Sequence, residues 1–171
     1  MRPVSPTLEY GGSYEILSTV REGRVFLAQK AGKRFVLKVS DGSAQGIERL
    51  KREYELSVGL SHPCLPYVFI YEEDSPVGPC IVQKFVDGQT LGEWLSGKPS
   101  TPERRRAFTE LLGAVQYLHG KGIIHNDIKP GNVLVSRSSG TLKLIDLGFA
   151  EATPSCRKRS EAHANTHLRS F

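Results

Sequence analysis

Eight residues, His125-Asn126-Asp127-Ile128-Lys129-Pro130-Gly131-Asn132, constrain this 171-residue chain more than any other stretch. They place a carboxylate, a cation and an amide close together, and Pro130 and Gly131 deny the segment a regular helix. The apolar run Val133-Leu134-Val135 follows at once. A second run, Leu142-Lys143-Leu144-Ile145, ends on another carboxylate, Asp146, just before Leu147-Gly148. Two short strands joined through Ser138-Ser139-Gly140 read as a hairpin. Each carboxylate then stands on a loop at a strand edge.

Composition narrows the chemistry around that hairpin. The length suits one ordinary domain or two small lobes. The net charge of +5 suits an anionic ligand. The basic runs Arg104-Arg105-Arg106 and Arg157-Lys158-Arg159 are short and poor in nearby aromatics, which argues against nucleic acid as a partner. The three cysteines, Cys64, Cys80 and Cys156, are widely spaced with no CxxC. That pattern argues for a reducing compartment rather than a disulfide framework. No apolar run reaches membrane-spanning length, and residues 1–12 lack the apolar segment of a secretory signal. A flexible leader over 1–13 and a cytoplasmic location are expected.

Upstream, residues 14–17 and 25–28 read as strands turning at Glu22-Gly23. Residues 33–39 form a third strand opened by Ala31-Gly32, with Lys38 inside its apolar core. A lysine there needs a partner or a path to solvent. Over 44–60, Ile47, Leu50, Tyr54 and Val58 recur at helical spacing, and Glu53 neighbours that face. Residues 65–71 and 80–86 are rich in β-branched and aromatic residues and read as two further strands. Thr101-Pro102 reads as an N-cap and first helical position. The helix it opens runs to His119 with Leu111, Leu112, Val115 and Leu118 as its buried stripe. His119 and His125 are read as structural residues.

Two carboxylates, an amide and a lysine in this arrangement form the set that phosphoryl transfer requires. The stretch resembles the catalytic and metal-binding loops of eukaryotic-type Ser/Thr protein kinases, H-R-D-x-K-x-x-N followed by D-F-G. Here they read H-N-D-I-K-P-G-N and D-L-G, with Asn126 for the arginine and Leu147 for the phenylalanine. Phe35-Val36-Leu37-Lys38 is similar to the family's V-A-I-K, and Arg52-Glu53 to its helix glutamate. Lys84-Phe85-Val86 resembles the hinge. The first hairpin is similar to the glycine-rich loop, with Gly23 at the third glycine and Ser18 and Val20 at the first two.

The resemblance implies a two-lobed α+β fold: an antiparallel N-lobe sheet plus one helix over 14–86, then an abbreviated helical C-lobe over 87–150. It implies ATP and Mg²⁺ as cofactors and a protein substrate. Asp127 would orient the substrate hydroxyl and take its proton, and Lys129 would stabilise the transferring group. Asn132 and Asp146 would hold Mg²⁺. Lys38, Glu53, Val20, Gly23, Val25, Lys84 and Val86 would form the ATP site. Residues 151–171 lack an apolar period and an A-P-E motif, so a poorly ordered tail and a minimal or C-terminally truncated domain are expected. Cys156, His163 and His167 in that tail are not read as a zinc site. The long helix would then be partly uncovered, favouring a partner or self-association. Two alternatives stand beside the kinase reading. One is a pseudokinase or truncated binding module, favoured by the eroded glycine loop. The other is a small-molecule phosphotransferase of the aminoglycoside-kinase type, which shares an H-x-D-x-x-x-x-N loop.

Overall fold

The computed structural model describes residues 9–10 (backbone only), 14–21, 24–73 and 79–153. Gly23, the Glu22-Gly23 turn, Cys156, His163, His167 and the basic run at 157–159 lie outside the described residues, as does the expected leader over 1–13 except for Glu9–Tyr10, which form a strand. The chain divides into two compact units. One comprises Met1–Ser61 and Pro66–Val86, the other His62–Leu65 and Asp87–Phe171.

The first unit holds β1 (Glu9–Tyr10), β2 (Tyr14–Arg21), β3 (Val25–Lys30), β4 (Lys33–Val39), helix α1 (Ala44–Ser57), β5 (Val68–Glu72) and β6 (Cys80–Lys84). These strands form one antiparallel sheet in the order β1-β2-β3-β4-β6-β5. The β3–β4 turn has Ala31 at φ 48° and Gly32 at φ 72°. Left-handed backbone at both positions matches the twist of a two-residue hairpin. Successive side chains alternate between sheet faces. Leu37, Val39, Cys80 and Val82 therefore pack with Tyr14 and Ala28 on one face. Ile81, between two of them, joins Val68 and Leu50 of α1 on the other.

Several expected boundaries shift. Strands β2 and β3 run on to Arg21 and Lys30, beyond the expected ends at residues 17 and 28. Helix α1 stops at Ser57, because Val58 takes extended backbone and is exposed. Its buried residues are Leu50, Glu53 and Ser57, so Val58 does not belong to the stripe. Strand β5 begins at Val68 rather than residue 65. Leu65 is drawn into the second unit, where its N–H donates to His62 O at 3.0 Å and its carbonyl accepts from Lys143 Nζ at 3.5 Å. Strand β6 ends at Lys84 rather than residue 86.

The second unit holds β7 (Gly88–Thr90), α2 (Leu91–Ser96), α3 (Thr101–Gly120), β8 (Ile123–Ile124), a 3₁₀ turn (Pro130–Asn132), β9 (Val133–Ser136), β10 (Leu142–Leu144) and β11 (Glu151–Ala152). Strands β10, β9 and β7 form one antiparallel sheet, and β11 pairs with β8. The cap of α3 is Ser100 rather than Thr101. Its hydroxyl accepts from Glu103 N–H while the Glu103 carboxylate accepts from Ser100 N–H at 2.7 Å, a reciprocal capping box. The buried stripe of α3 is Ala107, Ala114 and Leu118, with Leu111 and Val115 half-buried. Leu112 is 63% exposed, because it lies a helical step of about 100° off the face shared by positions 107, 111, 114 and 118. Among the described residues, no helix is long and apolar enough to cross a membrane.

Gly88 lets β7 approach β9 closely. A Cβ there would fall 2.8 Å from the Val135 carbonyl oxygen, whereas one at Gly113, within α3, would meet nothing within 4 Å. Gly88→Ala should therefore lower stability by about 1–3 kcal/mol through overpacking against backbone. Gly113→Ala should raise it by roughly 0.5–1 kcal/mol through helix propensity. Urea unfolding of the two variants checks the opposite signs.

Candidate active site

In the first unit the alternation of β4 decides where Lys38 points. Leu37 and Val39 occupy the Tyr14 face, so Lys38 emerges on the opposite face, beside its cross-strand partners Val25 and Ile81. That face carries α1, and Glu53 lies one turn beyond Leu50 on the helix side packed against Ile81. Lys38 Nζ donates to Glu53 Oε2 at 2.5 Å. The Glu53 side chain is only 7% exposed and that of Lys38 21%. The pair is thus largely removed from water, where a charge-assisted bond is strong and loss of either partner costly.

The remaining nucleotide residues proposed from the sequence are less concentrated. Val25 faces Lys38 directly across the ladder. Val20 sits at a register shift in β2 and is 60% exposed. Lys84 closes β6 opposite Phe35, about 10 Å along the strand from the Lys38 position. Its backbone N–H donates to Tyr67 O at 2.8 Å. Val86 is the last residue of the unit.

In the second unit, buried His125 organises the loop. Its Nδ1 accepts from Asp127 N–H at 3.3 Å, so the proton sits on Nε2, which donates to Ile145 O at 3.2 Å. Burial pushes its pKa below the ordinary histidine value, which keeps the ring neutral. Ile145 N–H in turn donates to Asn132 O at 2.9 Å. The residue before Asp146 is thereby tied twice to the loop that carries Asp127.

The Asp127 carboxylate is held on both oxygens. Lys129 Nζ lies 3.0 Å from Oδ1 and 2.8 Å from Oδ2. Asn132 Nδ2 donates to Oδ2 at 2.7 Å and to the Asp127 carbonyl at 3.0 Å. The Lys129 hydrogen bond, with help from Asn132, holds the pKa of Asp127 below the usual carboxylate range, against desolvation and the charge of Asp146. Asp127 is therefore an anion ready to accept a proton but reluctant to keep it. Asp146 has φ 69°, a conformation that Asp tolerates better than most residues. Its Oδ1 accepts from Gly148 N–H at 3.2 Å, which turns the chain directly after it.

Asn132 carries an oxygen of the kind that a divalent cation would need. Both groups near its Nδ2 are acceptors, so the amide can be oriented only one way. Its Oδ1 is buried and has no hydrogen-bond partner in the structure. An orphaned buried acceptor is costly unless something fills it. Asn132 Oδ1 and the Asp146 carboxylate are the hard oxygen donors that Mg²⁺ prefers. The structure thus brings Asp127, Lys129 and Asn132 together directly and ties in Asp146 through Ile145. It adds two contributors that the sequence did not single out as site residues. Asn126, at φ 62°, donates from Nδ2 to Phe149 O at 3.2 Å. An asparagine in a turn is its sequence signal, since few residues tolerate that backbone. Glu110 of α3 accepts from Leu142 N–H at 2.7 Å, a contact across 32 residues that no local pattern announces.

A family model described as the protein kinase domain matches residues 17–168. A probable serine/threonine-protein kinase of Streptomyces coelicolor is 41% identical over 109 residues, covering 61% of this chain and 16% of that protein. CBL-interacting serine/threonine-protein kinase 8 of Arabidopsis thaliana is 32% identical over 151 residues, covering 81% of this chain and 33% of the relative. Serine/threonine-protein kinase PknB of Mycobacterium tuberculosis is 35% identical over 109 residues, 61% of this chain and 17% of the relative. The chain spans between 16% and 33% of the length of these relatives.

Lys38→Met should destabilise the protein by about 2–4 kcal/mol, because it leaves the buried Glu53 carboxylate without its lysine. Glu53→Gln should restore part of that loss in the double variant, which a double-mutant cycle in urea measures. Stability should also depend on His125. The unfolded histidine takes up a proton near pH 6.5 while the buried ring resists it, so stability falls as pH drops from about 6.5 toward the lowered folded value. His125→Gln should be less stable at pH 8 yet flatter through that window in pH-dependent thermal melts.

Proposed function

The chain belongs to the protein kinase family, and from that premise we propose that it transfers the γ-phosphoryl group of ATP to a serine or threonine of a protein substrate. The observation that carries this reading is the Asp127 carboxylate, gripped by Lys129 and Asn132 with a second carboxylate held close by through Ile145. The substrate hydroxyl oxygen bonds to the γ-phosphorus, the bond to ADP breaks, and Asp127 orients the hydroxyl and receives its proton. Lys129 neutralises charge on the transferring group. Mg²⁺, when bound by Asn132 Oδ1 and Asp146, supplies charge neutralisation for the phosphates. In the first unit, Lys38 held by Glu53 pairs with the α- and β-phosphates. Val25 and the Lys84–Val86 stretch contribute to the nucleotide site.

The wide spacing of the three cysteines, with no CxxC, supports a reducing, cytoplasmic setting. Exposed Phe108 and Leu112, four residues apart on α3, support packing of that helix against further polypeptide, either a partner or a second copy. One observation favours a second reading, a nucleotide-binding module without turnover. Val20 stands where the resembled loop has glycine, and a β-branched side chain hinders close approach of backbone N–H groups to phosphates.

Incubation with Mg²⁺ and γ-labelled ATP, alone and with a mixed protein substrate, decides between the two. Label should appear on serine or threonine. Asp127→Ala and Asp146→Ala should each lower it by at least about a hundredfold, the scale of losing a positioned proton acceptor or a charge clamp. Nucleotide binding without any label in the wild type would support the binding module instead.

A further inference from the structure

The segment that follows Asp146 is short and held at both ends. At its start, Gly148 N–H bonds to Asp146 Oδ1. Ala150 N–H closes a turn onto Leu147 O at 2.9 Å, with Leu147 and Ala150 both buried. At its far end β11 pairs with β8, and Thr153 N–H donates to Gly122 O at 2.7 Å. Between these anchors Phe149 projects outward, 57% exposed. Its carbonyl accepts from Asn126 Nδ2. Asn126 immediately precedes Asp127, so this bond connects the loop of one carboxylate to the turn of the other.

We propose that Asn126 is a positioning residue, whose side-chain amide fastens the turn after Asp146 to the loop of Asp127 and so sets the metal-binding carboxylate. Two features make asparagine suited to the place. Its backbone is left-handed, which asparagine adopts at lower cost than most residues. Its amide is a short neutral donor, so the Phe149 carbonyl satisfies it and no anion has to be brought in to balance a charge. The linkage is therefore built into the unmodified chain. The inference rests on the kinase reading only in calling Asp146 a metal-binding residue; the mechanical link stands on the geometry.

The test separates backbone from side chain. Asn126→Gly accepts φ 62° and removes the donor. Asn126→Asp keeps the shape and puts an acceptor against the carbonyl. Asn126→His, which also tolerates this backbone, returns a ring N–H. Amide hydrogen exchange over residues 147–152 is measured in the full chain, with residues 101–120 of α3 as the internal control for folding. Exchange in 147–152 should rise by about fivefold in the glycine and aspartate variants, the share of one net hydrogen bond, with the control unchanged and the histidine variant closer to wild type. Mg²⁺ affinity, titrated with ATP present, should weaken in the same order. Exchange over 147–152 that matches wild type in both the glycine and aspartate variants would overturn the proposal. Changed exchange in a protein that transfers no label would sink the kinase reading and leave Asn126 as the fastening of this turn.

Discussion

Asn132 is fully buried, and every polar group it carries but one is committed. Its amide nitrogen serves the carboxylate and the carbonyl of Asp127, and its own carbonyl accepts from Ile145. The remaining oxygen has no partner. A buried amide tolerates this only if the arrangement is over-determined by its surroundings. The 3₁₀ turn at Pro130–Asn132, the β9–β10 ladder that begins at Val133, and the neutral ring of His125 supply that determination. The geometry of both carboxylates depends on it. If Asn132 turned, Asp127 would lose one of its two side-chain partners, and the Ile145 tie to Asp146 would loosen.

The first unit solves a similar problem with charge. A sheet packed on both faces leaves little room for an ionised side chain, yet β4 carries Lys38 between Leu37 and Val39. The cost of desolvation is offset only because the helix on that face carries Glu53 one turn beyond Leu50. Helix α1 is thus placed by an apolar contact and specified by an ionic one. Buried pairs of this kind contribute less to net stability than to fixing one arrangement.

Membership of the protein kinase family and the α+β architecture agree with this local chemistry. The relatives are several times longer than the part this chain matches. The region matched by the family model, residues 17–168, takes in both Lys38–Glu53 and the loops of Asp127 and Asp146.

Much of this was legible in the amino-acid sequence because the signals are local. An apolar core opened by the Ala31-Gly32 turn marked β4, β-branched enrichment marked β6, and the two apolar runs after Asn132 marked the β9–β10 hairpin. Glu53 was legible as the partner of Lys38 because a lysine in an apolar strand demands a counter-charge. Short pairings were not legible. Strands β7, β8 and β11 are two or three residues long and exist only because a distant segment offers its backbone. The exposure of Leu112 was missed because helical spacing says which residues share a face but not how wide the covered face is. The sequence by itself determined which chemical groups are available and their spacing along the chain, since residue type and local backbone preference are properties of short segments. Only the tertiary structure decided that His125 is neutral, that Asn132 presents a buried free oxygen and that Asn126 reaches Phe149. Each of these depends on burial and on hydrogen-bond partners lying 5 to 23 residues away.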